Sequence, residues 1–172
     1  MNPWPRLAVA LVVATVIRAL MVALVPAWSD VLDPFIAATV WIAVGSRPLP
    51  GLSCGLVLGL AFDLFSGRPF GLGGFAATLV GYLVSRFAQH LLVRQPRTLV
   101  LVFALAIATQ RAAMAMLELL LIPDAAIPTW QRVTVTVLAT TALGVVWVRA
   151  ESWLFGRVAG WRRERASKLR LG

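Results

Sequence analysis

The stretch L-A-V-A-L-V-V-A-T-V-I-R-A-L-M-V-A-L-V, Leu7 to Val25, is an unbroken apolar run interrupted by one charge, Arg18. At about 1.5 Å of rise per residue, a helix of this length crosses nearly all of the ~30 Å hydrocarbon core of a bilayer. Met1 to Arg6 followed by this run also has the layout of a signal peptide, but further apolar blocks follow and favour a retained first span. Hydrophobic residues are 60% of the 172 and charged residues 13%, with a mean hydropathy of +0.86. A soluble domain carries about 25% charged residues. The bilayer is therefore the solvent against which the rest of the chain is read.

Moving outward from the first block, Asp30, Asp33 and Pro34 break the apolar pattern, and a shorter block from Phe35 to Gly45 ends at Ser46-Arg47-Pro48. A third, glycine-rich block runs from Leu49 to Phe65 and stops at a hinge, Ser66-Gly67-Arg68-Pro69. Phe70 to Phe87, Leu99 to Ile122 and Ile127 to Val148 complete the set, with a polar stretch reaching Arg97 between the fourth and fifth. The expectation is an all-α polytopic membrane protein: six transmembrane helices in a compact bundle over residues 1–156, then a basic cytoplasmic tail over 157–172. The second and third blocks are short. Each either recruits flanking residues into its span or lies against neighbours that shield its ends.

Cations set the orientation. Arg6, Arg47, Arg86, Arg94, Arg97, Arg149 and the tail cations Arg157, Arg162, Arg163, Arg165, Lys168 and Arg170 fall on one side. Asp30, Asp33 and Asp124 fall on the other, with Arg68 and Arg132. The positive-inside rule puts both termini in the cytoplasm. Trp28 and Trp130 then lie near the outer interface and Trp4, Trp147 and Trp153 near the inner one, whereas Trp41 sits in the middle of its block. The net charge of +9 is thus a topology signal and, in the tail, a candidate contact for anionic lipid or an acidic partner; nucleic acid is not implied.

No convergent nucleophile, base or metal-ligand set can be assembled. His90 lies in the basic stretch, Cys54 lies inside an apolar block, and Asp30, Asp33, Asp63 and Asp124 read as caps and boundary markers. The expectation is a protein that is not an enzyme and has no cofactor. The most specific local pattern is Gly51-x-x-x-Gly55-x-x-x-Gly59-x-x-x-Asp63, which sets four residues on one ridge of the third helix. Ala77, Gly81 and Ser85 make a matching ridge on the fourth, and small residues at such spacing let two backbones approach closely. Intramembrane charges are costly and face the bundle interior, so Arg18, Asp63, Arg111 and Glu118 are candidates for a buried charge network, with Gln110 adding a hydrogen-bonding group.

The run Gly55-Leu-Val-Leu-Gly-Leu-Ala-Phe-Asp63-Leu-Phe-Ser66-Gly67-Arg-Pro69-Phe-Gly71-Leu-Gly73, followed by Ala77-Thr-Leu-Val-Gly81-Tyr82-Leu, resembles the rod shape-determining protein MreD family. The shared features are a G-L-x-x-D-L-x-S-G-x-P-x-G-L core, a V-G-Y-L-type helix after it, and an aspartate-proline pair before it, here Asp33-Pro34. Arg68 stands where the family usually has a small polar residue. The resemblance singles out Asp63, Ser66, Gly67, Pro69 and Gly71 as a family-like loop motif. It implies a non-catalytic scaffold of the bacterial inner membrane, acting with MreC, the actin-like MreB, the glycosyltransferase RodA and its partner transpeptidase in peptidoglycan synthesis. The family's helical core is also similar to the substrate-binding subunits of energy-coupling-factor transporters, so a vitamin-binding membrane subunit is the alternative. Ala10-x-x-x-Ala14 and Ala19-x-x-x-Ala23 match a pattern of those subunits but discriminate little in an alanine-rich helix.

Overall fold

The computed structural model describes residues 4–26, 31–67, 69–89, 96–121, 129–131 and 133–149, with the side chains of Pro96 and Arg97 excepted. Trp28, Asp30, Arg68, His90, Arg94, Asp124, Arg132, Trp153 and the basic tail lie outside the described residues. Within them there are six helices and no strand: α1 Trp4–Leu24, α2 Pro34–Val44, α3 Pro48–Ser66, α4 Leu72–Ala88, α5 Pro96–Leu121 and α6 Val133–Arg149. By length and composition α1, α3 and the Thr98–Leu121 part of α5 are apolar enough to cross a membrane; α2, α4 and α6 are shorter apolar helices.

The helix boundaries follow local chemistry. Asp33 adopts an extended backbone and caps α2, with Pro34 at the first helical position, where a missing N–H costs nothing. At the other end of α2 the N–H groups of Gly45 and Ser46 donate to Ile42 and Ala43 carbonyls at 3.2 and 3.1 Å, and Pro48 then opens α3. Gly67 ends α3 in the left-handed region at φ 65°, and Gly71 opens α4 at φ 104°. Both values favour glycine, because a Cβ there crowds the following carbonyl.

The bundle is built around α2. Nine of its eleven residues are buried, and it packs against α1, α3, α4 and α5. One side of it joins Phe35, Ala38 and Ile42 to Leu7, Ala10 and Ala14 of α1, Leu58 and Phe62 of α3, and Met114 of α5. The other side joins Ile36, Val40 and Ala43 to Ala77, Val80 and Val84 of α4 and Phe103 and Ile107 of α5. A helix that is apolar all round either faces lipid or is enclosed by other helices, and α2 takes the second course. Eleven residues rise only about 16 Å, roughly half a bilayer core. The two short blocks therefore take different routes: α3 recruits Pro48 and Ser66 into a nineteen-residue helix, and α2 stays short and is sheathed by its neighbours.

Successive helices run antiparallel. Arg6 at the start of α1 lies 5.4 Å from the Trp41 ring near the end of α2, Gly51 at the start of α3 meets Gly81 and Ser85 near the end of α4, and Phe103 early in α5 meets Gly144 late in α6. One end of the bundle thus gathers Arg6, Arg47, Arg86 and Arg149. Trp41 also belongs there: its ring lies 6.1 Å from that of Trp147. Trp41 reads as mid-block in the sequence, yet α2 is so short that Trp41 stands in its last turn, three residues before Val44.

Candidate functional site: two buried aspartates at the ends of short helices

The glycine ridge of α3 is set backbone to backbone against α4. A Cβ on Gly51 would stand 2.8 Å from the Gly81 carbonyl oxygen and would also strike Ser85; one on Gly55 would strike the Ala77 carbonyl. One on Gly59 would stand 2.8 Å from both the Ala77 Cβ and the Gly74 Cα. Gly51, Gly55 and Gly59 are thereby brought onto Ala77, Gly81 and Ser85, and the Ser85 hydroxyl reaches past the contact to donate to the Ala43 carbonyl of α2 at 3.0 Å.

At the far end of this ridge stands Asp63, 4% exposed. Its Oδ1 accepts the Gly73 N–H at 2.8 Å, and its Oδ2 accepts those of Gly71 and Gly74 at 2.9 and 3.0 Å. The carboxylate is thus the N-terminal cap of the following helix. It satisfies three donors that the first turn of α4 would otherwise leave unpaired, and it places a negative charge at the positive end of the helix dipole. The Ser66 hydroxyl donates to the Asp63 carbonyl at 3.2 Å, Gly67 makes the turn, and Pro69 is exposed on it. Of the two partners open to Asp63 from sequence, a buried arginine or the N–H groups of the turn, the turn supplies three bonds. Arg18, 5% exposed, donates through Nη2 to the Phe65 carbonyl at 3.5 Å. A cation there complements the carbonyl end of α3.

Arg111 is brought to a different acid. Its Nη2 lies 3.9 Å from Asp33 Oδ2, to which the Gln110 Nε2 donates at 3.2 Å. The other oxygen, Oδ1, accepts the Phe35 and Ile36 N–H groups, both at 3.1 Å. The Asp33 N–H donates to Thr140 Oγ1 at 3.4 Å, and Thr140 in turn donates to the Val31 carbonyl at 3.3 Å. Asp33, 1% exposed, therefore fastens α2 to both α5 and α6. The sequence marks it as a cap by the Asp-Pro pair; that its second oxygen is held inside the bundle by Gln110 and Arg111 is new. Arg18, Asp63 and Arg111 are all placed where the short helices end. Glu118 is half-buried about two turns beyond Arg111 on α5. Ala10 and Ala14 face the core, whereas Ala19 and Ala23 are exposed.

An all-helical, mainly apolar bundle whose buried acids cap its own helices defines a membrane protein in which the polar groups serve the fold. No curated protein and no solved structure matches this chain significantly. A family model described as rod shape-determining protein MreD matches residues 4–149. The chain belongs to that family, which acts in determining the rod shape of cells.

Proposed function

We propose that this protein is a non-catalytic scaffold subunit of the rod-shape machinery in the bacterial inner membrane. Six helices cross the membrane with both termini in the cytoplasm, and the bundle holds MreC together with the peptidoglycan synthases, RodA and its partner transpeptidase, within reach of MreB. The observation that carries this reading is the family match over 4–149. The internal use of Asp33 and Asp63 supports it: both carboxylates are engaged by the protein's own N–H and side-chain donors. The grouping of Arg6, Arg47, Arg86 and Arg149 at one end supports the orientation.

The test is depletion in a rod-shaped host combined with affinity purification from its membranes. Rounding or swelling of depleted cells, with MreC recovered alongside the tagged chain, is the expected result. Cells that keep their shape but lose uptake of a vitamin would replace this reading with the transporter-subunit one.

A further inference from the structure

We propose that the seam between α5 and α6 is a binding site for an ordered internal water molecule, which bridges Gln110 and Thr141 beside Asp33. Two buried polar atoms point to it. Gln110 is 2% exposed and Thr141 7%, yet among the described residues no group donates to Gln110 Oε1 and none pairs with Thr141 Oγ1. A bare polar atom in the interior costs free energy, and native structures meet such atoms with protein groups or with ordered water. The Gln110 amide cannot turn its oxygen elsewhere, because its Nε2 donates to Asp33 Oδ2 at 3.2 Å. Exchanging the two amide atoms would set oxygen against a carboxylate. Thr141 differs from other helix threonines of the bundle. Thr39, Thr78, Thr109 and Thr134 each donate to the carbonyl four residues back, at 2.9, 2.6, 2.8 and 2.8 Å, whereas Thr141 keeps its hydroxyl for another partner.

The helix register brings the two atoms within reach of one water. Gly144, three residues after Thr141, meets the Phe103 ring of α5, so Thr141 lies on the α5-facing side of α6. Gln110 follows Phe103 by seven residues, about 10.5 Å along α5, and Thr141 precedes Gly144 by three, about 4.5 Å in the same direction along the antiparallel α6. The axial offset of about 6 Å matches the span of two hydrogen bonds of about 2.8–3.0 Å through a single oxygen. Thr140, next to Thr141, accepts the Asp33 N–H at 3.4 Å, so both ends of the bridge converge on Asp33. The chemistry selects water over an ion. An anion would face the Gln110 oxygen and the Asp33 carboxylate, and a cation would face Arg111, 3.9 Å from that carboxylate. Water donates to the amide oxygen and either donates to or accepts from the hydroxyl, and it is small enough for a seam walled by the fully buried Phe103 and Ile107. It ties α6 to α5, as Thr140 ties α6 to α2. This inference rests on the geometry of the seam and is independent of the scaffold reading.

The experiment places the full wild-type chain, labelled at threonine methyl groups, in phosphatidylcholine bilayers and follows polarisation passed from water to protein by solid-state NMR. The Thr141 methyl should receive it severalfold faster than that of Thr39, which is 1% exposed and whose hydroxyl is held by the Phe35 carbonyl. Thr141→Val, of the same shape without the hydroxyl, should lower the thermal midpoint in detergent by about 2–4 °C. A hydroxyl with no water on it would behave oppositely, its removal leaving the midpoint unchanged or raising it. Gln110→Leu and Thr141→Val should be less than additive in the midpoint, since either one alone releases the shared water. Transfer to Thr141 no faster than to Thr39, an unchanged or raised midpoint in Thr141→Val, or strict additivity of the two substitutions would each overturn the proposal.

Discussion

Asp63 and Asp33 are both caps, but they fail differently. Asp63→Ala leaves the N–H groups of Gly71, Gly73 and Gly74 without their acceptor in a place where water is scarce, at roughly 1–3 kcal/mol for each that stays unsatisfied. The expected outcome is a loss of about 3 kcal/mol or more, read as a drop in folded protein recovered from membranes and in its thermal midpoint in detergent. Asp63→Asn keeps one carbonyl oxygen and should fall between wild type and alanine. An alanine variant as abundant and as heat-stable as wild type would refute the capping role. Asp33 adds a second duty, since its Oδ2 also meets Gln110 and Arg111. Asp33→Asn and Arg111→Gln should therefore couple, the double variant being milder than the sum of the singles by about 1–3 kcal/mol in a denaturation cycle. Strict additivity would mean that the 3.9 Å approach carries no energy. These two residues also show where reading the sequence stops. Asp63 is legible because its donors lie eight to eleven residues ahead in one turn. The Gln110 partner of Asp33 lies 77 positions away, and helical periodicity says which face Gln110 occupies but not which helix comes to meet it.

The α3–α4 hairpin is the element most fully written in the sequence. Its glycine ridge, matching small-residue ridge and turn residues are all local, and the structure lays the two ridges together with backbone carbonyls at the contact. Gly55→Ala should force the helices apart, because the added methyl meets the Ala77 carbonyl rather than a flexible side chain. A cost of about 1–3 kcal/mol is expected in a thermal melt of the purified protein. Gly67→Ala offers a comparison at the same hairpin: nothing lies within 4 Å of its Cβ, so the only penalty is the positive φ, about 1–2 kcal/mol. Gly67→Asn, tolerant of that conformation, should recover part of it, whereas no substitution of similar size should rescue Gly55. The length of α2 is less legible. Its apolar block has the composition of a membrane helix, and what the sequence does not show is that four neighbours sheathe a segment of about 16 Å, too short to cross the hydrocarbon core unaided.

For the whole molecule, the alternation of helix direction and the gathering of arginines at one end make a definite prediction about sidedness. Reporter fusions after Arg97 and at Gly172 should report cytoplasm, and one at Asp124 should report the opposite side. A reversed signal at Gly172 would dismantle the six-span orientation. The sheathing of α2 has a consequence for biosynthesis. Emerging from the ribosome, this segment is too short to be held by the bilayer alone, and its buried Asp33 meets Gln110, Arg111 and Thr140 only after α5 and α6 have been made. Chains halted at Arg47 and fused there to a reporter should therefore leave α2 outside the membrane in an appreciable fraction of molecules, whereas the same reporter placed after Ala88 should find it committed. The order of synthesis thus makes the centre of the bundle the last part to acquire its final contacts, and the cell must hold a half-inserted helix in waiting until the C-terminal third of the chain arrives.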